Sequence, residues 1–254
     1  MPRIYLKIAY DGTNYAGWQM QKNALGVETV INQALLKLTG EEIVIIGASR
    51  TDSGVHALGN VAVFDTCSTI PPKRFSYALN SLLPMDIRIL ESKEVPKEFH
   101  PRYTKEIRKT YEYRIDNSKL ENPLQRLYSY HVHVDLDDHK MNEACKYLLG
   151  THDFASFCAA HTQVKTTERT IYQAEVVRQG DQLIFRIQGN GFLYNMVRLI
   201  TGTLLRVGRG FYEPIKVKEI LEKRNRELSG PNVPPQGLIL VEILYGNLEK
   251  ENKL

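Results

Sequence analysis

Residues 47 to 57, GASRTDSGVHA, gather Ser49, Arg50, Thr51, Asp52, Ser53, Gly54 and His56 into one short segment between two apolar stretches. A carboxylate, a guanidinium, hydroxyls and an imidazole in one turn can attack carbon, hold a phosphate and pass a proton. Such groups favour loops held between rigid elements, because a loop can be shaped without disturbing the core. Asp52 is the group suited to nucleophilic attack: a carboxylate with a reference pKa near 3.9 is ionised at neutral pH, can bond to carbon and can later leave. The same residues also read as a plain turn, since Asp52 and Ser53 before Gly54 are good turn formers and Arg50 beside Asp52 can make an ordinary salt bridge. A second segment, RYTKEIRKTYEYR from Arg102 to Arg114, sets Arg102, Lys105, Arg108, Lys109 and Arg114 among Tyr103, Tyr111 and Tyr113. That mixture suits a surface meeting phosphates and unstacked bases, or else an alternating strand with a solvated charged face.

These segments need elements to hold them. Apolar alternation predicts strands at about Arg3 to Ala9, Ile43 to Ser49, Leu58 to Asp65 and Asp86 to Val95. A helix from Val27 to Thr39 stacks Val27, Val30, Ile31, Ala34, Leu35 and Leu38 on one face, and Gly40 caps it. A second helix follows Pro71-Pro72 and stops before Pro84. The order is β-α-β-β-α-β, in which two helices cover one face of an antiparallel sheet.

A similar half follows. Strands are predicted near Lys109 to Asp116 and Tyr128 to Val134, then a helix from His139 to Leu149 capped by Gly150. A hairpin pairs Ile171 to Arg178 with Gln182 to Gln188, and helices run from Phe192 to Val207 and from Pro214 to Lys223. Ile239 to Tyr245 closes the set as a strand, and the Pro-rich stretch 227 to 236 is expected as a surface loop. The chain therefore divides into two α+β halves, 1–103 and 104–254. The cleft between two such halves is where a ligand is expected.

Composition narrows the classes. Of 254 residues, 43% are hydrophobic and 24% charged, enough for a packed core. There is no apolar run long enough to cross a membrane and no signal or transit pattern at the N-terminus, so a cytoplasmic location is expected. Three scattered cysteines, Cys67, Cys145 and Cys158, imply neither a disulfide framework nor a metal site. A formal charge of +4 permits a polyanionic partner.

Arg50-Thr51-Asp52-Ser53-Gly54-Val55-His56-Ala57 resembles the signature of the tRNA pseudouridine synthase A family, usually G-R-T-D-A-G-V-H. Tyr10-Asp11-Gly12-Thr13 with Gly17-Trp18-Gln19 and Gln21, Phe99 to Arg102, and Lys109 to Tyr113 resemble further family segments. So do His152 to Phe157, Asn190 to Arg198 and Gly237 to Leu240, all in family order over nearly the whole chain. Ser49 and Ser53 depart from the usual Gly and Ala, and both are small.

The resemblance implies the pseudouridine synthase fold, two α+β halves with antiparallel sheets around a central basic cleft, in a homodimer without metal or organic cofactor. It implies a tRNA substrate, bound at the anticodon stem-loop, with uridines 38, 39 and 40 just 3′ of the anticodon isomerised to pseudouridine. By resemblance Asp52 is the nucleophile, Arg198 its cationic partner, Tyr111 the residue that stacks on uracil and helps remove the C5 proton, and Leu238 an apolar neighbour of the base. Arg50 becomes the wedge or phosphate holder, and Arg102, Lys105, Arg108 and Lys109 the phosphate contacts. Arg198 lies off the apolar stripe of Phe192, Met196, Val197, Ile200 and Leu204, so packing does not require it.

Other classes fit less well. A non-catalytic RNA-binding module needs no Asp52, and the aromatic RNP1 pattern is not evident on any strand. No G-x-x-x-x-G-K-[ST] exists, and Gly189-Asn190-Gly191 lacks the third glycine of a dinucleotide loop. A glycosidase would need a paired general-acid carboxylate, which the matching segments do not supply.

Overall fold

A computed structural model describes residues 1–104, 106–159 and 166–246. They form two compact units: Met1–Ile107 with the chain from Leu240 onward, and Arg108–Ile239.

The first unit follows the expected β-α-β-β-α-β order. It holds β1 (Arg3–Tyr10), α1 (Val27–Thr39), β2 (Ile46–Gly47), β3 (His56–Asp65), α2 (Phe75–Asn80) and β4 (Ile87–Val95). The strand order is β4-β1-β3-β10, where β10 is Leu238–Tyr245 and β2 lies alongside β3. β1 pairs antiparallel with both β3 and β4. α1 has its expected bounds and buries Val27, Ile31, Ala34 and Leu35, and Gly40 ends it at φ 75° with its N–H on the Leu36 carbonyl.

Two elements here are shorter than expected, for reasons lying in single side chains. β2 spans two residues instead of seven because Ile45 N–H bonds Asn32 Oδ1 at 3.1 Å and Ile43 N–H bonds the Glu41 carbonyl at 3.0 Å, which takes both out of the ladder. α2 follows a 3-10 turn at Pro72–Arg74 and stops at Asn80, whose side-chain amide brackets Ile89 of β4, accepting from its N–H at 2.8 Å and donating to its carbonyl at 2.9 Å.

The second unit contains β5 (Ile107–Asp116), β6 (Tyr130–His131), α3 (Asp138–Cys145), β7 (Gly150–Asp153), β8 (Glu168–Gln179), β9 (Gln182–Gly189), α4 (Met196–Gly208) and α5 (Lys216–Lys223). Its sheet runs β5-β9-β8-β7, and β5 with β9, β9 with β8 and β8 with β7 are antiparallel. The chain is therefore α+β throughout, with β5, α3, β8, β9 and α4 repeating the first unit's succession.

The expected strand 128–134 shrinks to β6, which lies parallel to β5, because Asn117 Nδ2 takes the Val132 and Val134 carbonyls at 2.7 and 2.8 Å. Gly150 is not a helix cap. α3 passes into a 3-10 turn at Lys146–Leu148, and Gly150, at φ 96°, opens the unforeseen strand β7. α4 begins four residues late because Asn195 is left-handed at φ 61°. Residues 227 to 236 are not simply surface: Ser229, Gly230 and Val233 are buried, and Gly230 N–H bonds Thr203 Oγ1 of α4 at 2.7 Å.

Candidate active site

The loop between β2 and β3 carries Arg50 and Asp52, and the segment after β1 clamps it. Thr51 gives its carbonyl to Trp18 N–H at 3.0 Å, Gly54 N–H reaches the Tyr15 carbonyl at 3.3 Å, and Ser53 Oγ donates to that same carbonyl. Gly17 has φ 89°, and a Cβ on it would run into the Thr51 carbonyl. A Cβ on Gly12 would likewise strike the Val55 carbonyl, so these two glycines let backbone approach backbone where a side chain could not. Val55 N–H closes a turn onto the Asp52 carbonyl at 3.2 Å.

Around this turn Thr51, Val55 and His56 are buried, Asp52 is half-buried and Arg50 is exposed. His56 Nδ1 accepts from Gly12 N–H at 3.0 Å and lies 3.1 Å from Asp11 Oδ1, which in turn accepts from Thr13 N–H and Oγ1. The carboxylate is thus presented on a backbone tied down at both ends.

Arg102 also lies in this unit. Its Nε donates to the Gly47 carbonyl at 2.5 Å, where β2 turns into the loop. Burial, then the like charge of Arg50, push its pKa below the usual arginine value, while Glu28 acts the other way. Arg50 and Arg102 are thereby close enough for their charges to interact.

In the second unit, alternation along β5 puts Tyr111, Tyr113 and Ile115 on one face and Thr110, Glu112 and Arg114 on the other. The polar face is paired across the ladder. Gln188 donates to Thr110 Oγ1 at 3.1 Å, and buried Glu112 takes Nε and Nη2 of Arg186 at 3.1 and 2.5 Å. Tyr111 is 8% exposed and meets the ring of Phe192 edge to face, centroids 5.1 Å apart. Tyr113 is fully buried and donates to the Pro234 carbonyl at 2.6 Å. Its phenol is pushed well above the usual tyrosine value by burial, against the pull of Arg198.

Arg198 stands in the first turn of α4, its Nε on the Val233 carbonyl at 2.7 Å and its Nη1 on Asn195 Oδ1 at 2.9 Å. Tyr113 and Arg198 therefore hold adjacent carbonyls of the loop that leads into buried Leu238. Arg108 lays its guanidinium over the Tyr172 ring, 4.7 Å from the centroid. Lys109 pairs with Gly189 in the β5–β9 ladder, and Lys105 lies outside the described residues.

Comparison with known proteins decides the family. A model described as tRNA pseudouridine synthase matches residues 7–104 and 144–246. The chain belongs to the tRNA pseudouridine synthase family. Relatives named tRNA pseudouridine synthase A include one from Acetivibrio thermocellus, 50% identical over 245 residues that cover 96% of this chain and all of the relative. Another, from Anoxybacillus flavithermus, is 48% identical over 97% of this chain and all of the relative, and one from Thermoanaerobacter sp. is 46% identical over 96% and all. A solved complex titled archaeal box H/ACA sRNP Nop10-Cbf5 aligns at TM-score 0.36 and 13% identity, over 80% of this chain and 44% of that one.

Within this synthase the units divide the candidate residues: Arg50, Asp52 and Arg102 lie in the first, and Arg108, Lys109, Tyr111, Arg198 and Leu238 in the second. Among the described residues no cluster of three or more His, Cys, Asp or Glu could hold a metal ion, and no helix is long and apolar enough to cross a membrane. Cys145 is buried with its thiol pushed up to about 12 by burial, then by Glu175, and Cys67 is exposed. Sequence reasoning gave no role of their own to Tyr10 and Asn60. A buried Asn in an otherwise apolar strand was the available signal, since such a group must be satisfied to be tolerated.

Proposed function

We propose that this synthase isomerises uridines 38, 39 and 40 in the anticodon stem-loop of tRNA, as a cytoplasmic homodimer, with Asp52 as nucleophile. The observation that carries the reading is the clamped turn around Asp52. A half-buried carboxylate on a backbone fixed by Trp18, Tyr15 and the glycines at 12 and 17 is oriented before substrate arrives. Family membership supplies the reaction and the tRNA.

The reaction breaks the C1′–N1 glycosidic bond, turns the uracil, joins C1′ to C5, and moves the C5 proton off while N1 takes one up. Extruding the uridine costs a few kcal/mol, offset by stacking and backbone contacts. In this reading Arg50 fills the place of the extruded base or holds its phosphate, and Tyr111 stacks on the uracil and helps remove the C5 proton through its hydroxyl. Leu238 packs against the base. Arg198 is the cation assigned to favour the charged form of the Asp52 nucleophile. Its two bonds, to Val233 and Asn195, fix the guanidinium within its own unit. Arg102, Arg108 and Lys109, with Lys105, contact phosphates.

Release of tritium from C5-labelled uridine in tRNA, followed by mapping of the modified positions, tests the reading. Release confined to uridines 38, 39 and 40 supports it, and release elsewhere moves the target.

A further inference from the structure

Beneath the Asp52 loop lies a buried hydrogen-bonded chain that joins β1, β3 and the loop. Asn60 of β3 is fully buried. Its Oδ1 accepts from the N–H groups of Ser49 and Val61 at 3.3 and 2.9 Å, and its Nδ2 donates to the Ser49 carbonyl at 3.1 Å and to Tyr10 Oη at 3.4 Å. One side chain therefore takes both backbone polar groups of Ser49, where the loop begins. The Tyr10 oxygen accepts from Asn60 and lies 2.8 Å from Thr51 Oγ1, a hydrogen bond in which either hydroxyl can donate. Thr51 is then gripped from two sides, by Tyr10 at its hydroxyl and by Trp18 N–H at its carbonyl.

The carbonyl of Thr51 belongs to the same rigid plane as the nitrogen and Cα of Asp52. Fixing Thr51 at two points fixes that plane, and with it the origin of the Asp52 side chain. Packing alone does not call for the polar groups. The Tyr10 ring already meets Trp18, centroids 5.9 Å apart, and a phenylalanine would fill the same space. A buried hydroxyl contributes little to net stability when its bond is made, yet it fixes geometry at short range.

We propose that Tyr10, held in turn by Asn60, is a positioning residue that sets the Thr51–Asp52 peptide and so aims the Asp52 carboxylate. The inference rests on the reading of Asp52 as nucleophile. In this proposal Tyr10 acts through its bond to Thr51, and Asn60 through its bonds to Tyr10 and Ser49.

The test compares full-length wild type, Asp52→Ala, Tyr10→Phe, Thr51→Val, Thr51→Ser and the Tyr10→Phe/Thr51→Val double variant. Three quantities are measured: single-turnover tritium release at saturating tRNA, tRNA affinity, and melting temperature. Tyr10→Phe and Thr51→Val each slow release by about 10- to 100-fold, the scale of a small misplacement of a reacting group, with affinity within a few-fold and the protein folded at the assay temperature. Because both break the same bond, the double variant is no slower than the slower single one. Thr51→Ser, which keeps the hydroxyl, recovers the rate lost in Thr51→Val. A wild-type rate in Tyr10→Phe, or single effects that multiply in the double variant, overturns the positioning role while an inactive Asp52→Ala leaves the nucleophile standing. Turnover by Asp52→Ala removes the nucleophile itself, whatever Tyr10 does.

Discussion

Tyr113 donates its hydroxyl to the Pro234 carbonyl at 2.6 Å from a fully buried ring, next to the Val233 carbonyl that Arg198 holds. Gly237, three residues on, lies so close to the Tyr113 ring that a Cβ there would stand 2.8 Å from it. Tyr113 thus seats the loop that delivers Leu238 into β10.

Tyr113→Phe removes the donor and leaves the half-buried Pro234 carbonyl without that bond, a loss of about 1 kcal/mol. Urea unfolding should show that loss, together with weaker tRNA binding if the loop carries Leu238 with it. Unchanged stability would show that the loop is seated by Arg198 and the Gly230–Thr203 contact alone.

Asp52→Asn keeps the shape of the side chain and removes its charge and nucleophilicity. Tritium release should vanish while tRNA affinity stays within a few-fold, because the backbone bonds that clamp the loop remain in the variant. Retained turnover would end the central reading.

The fold was legible wherever pattern and punctuation agreed. α1 was bounded by its apolar stripe and by Gly40, and the β8–β9 hairpin by the turn at Gly180. β2 and β6 were overcalled because Asn32 and Asn117, distant in sequence, take the ladder's backbone groups, and periodicity carries no trace of that. β7 was hidden because Gly150 reads equally well as a helix cap and as a strand start at φ 96°. The Asp52 loop stood out since polar residues interrupt two apolar runs. Tyr10 and Asn60 did not, because each is buried in an apolar strand, Tyr10 at the end of β1 and Asn60 within β3, and only the folded register joins them beneath the loop.

Arg3 and Asp65, paired across β1 and β3, join through two bonds of 2.8 Å. The hydrogen bond from Arg3 comes first in holding the Asp65 carboxyl below its usual range. A depressed carboxyl pKa contributes stability that is present above the unfolded value near 3.9 and is lost as pH falls through the lower folded value. Asp65 is partly exposed, so the contribution is modest, about 1 kcal/mol or less. Asp65→Asn should be less stable than wild type at pH 7, and the gap should close below about pH 4. A gap that is constant down to pH 3 would assign the loss to packing.

Arg108 and Lys109 open β5, with Arg108 stacked on Tyr172 through one face of its guanidinium. Each phosphate contact on duplex RNA should add about 0.9 to the slope of log affinity against log salt, taking the duplex-DNA value as guide. Replacing both with Ala should flatten the slope by nearly two such steps. An unchanged slope would put the phosphates elsewhere.

Tyr111 is expected to act after the glycosidic bond has broken. Once C1′ is joined to C5, that carbon still carries its original hydrogen, and pseudouridine forms only when a base removes it. A phenol with a reference pKa near 10 is a poor base alone, but it can relay the proton to a carboxylate or water in a closed site. Tyr111→Phe keeps the ring that meets Phe192 edge to face and deletes only the hydroxyl. Binding and bond cleavage should survive, while tritium release falls by about 10² to 10⁴, the range for losing a positioned acid or base. Rapid-quench trapping should then find rearranged base still holding its tritium on the enzyme. Wild-type release from Tyr111→Phe would reduce Tyr111 to a stacking surface. An ordered water would then take the proton, because Tyr113 has its hydroxyl committed to Pro234 and its ring wholly buried.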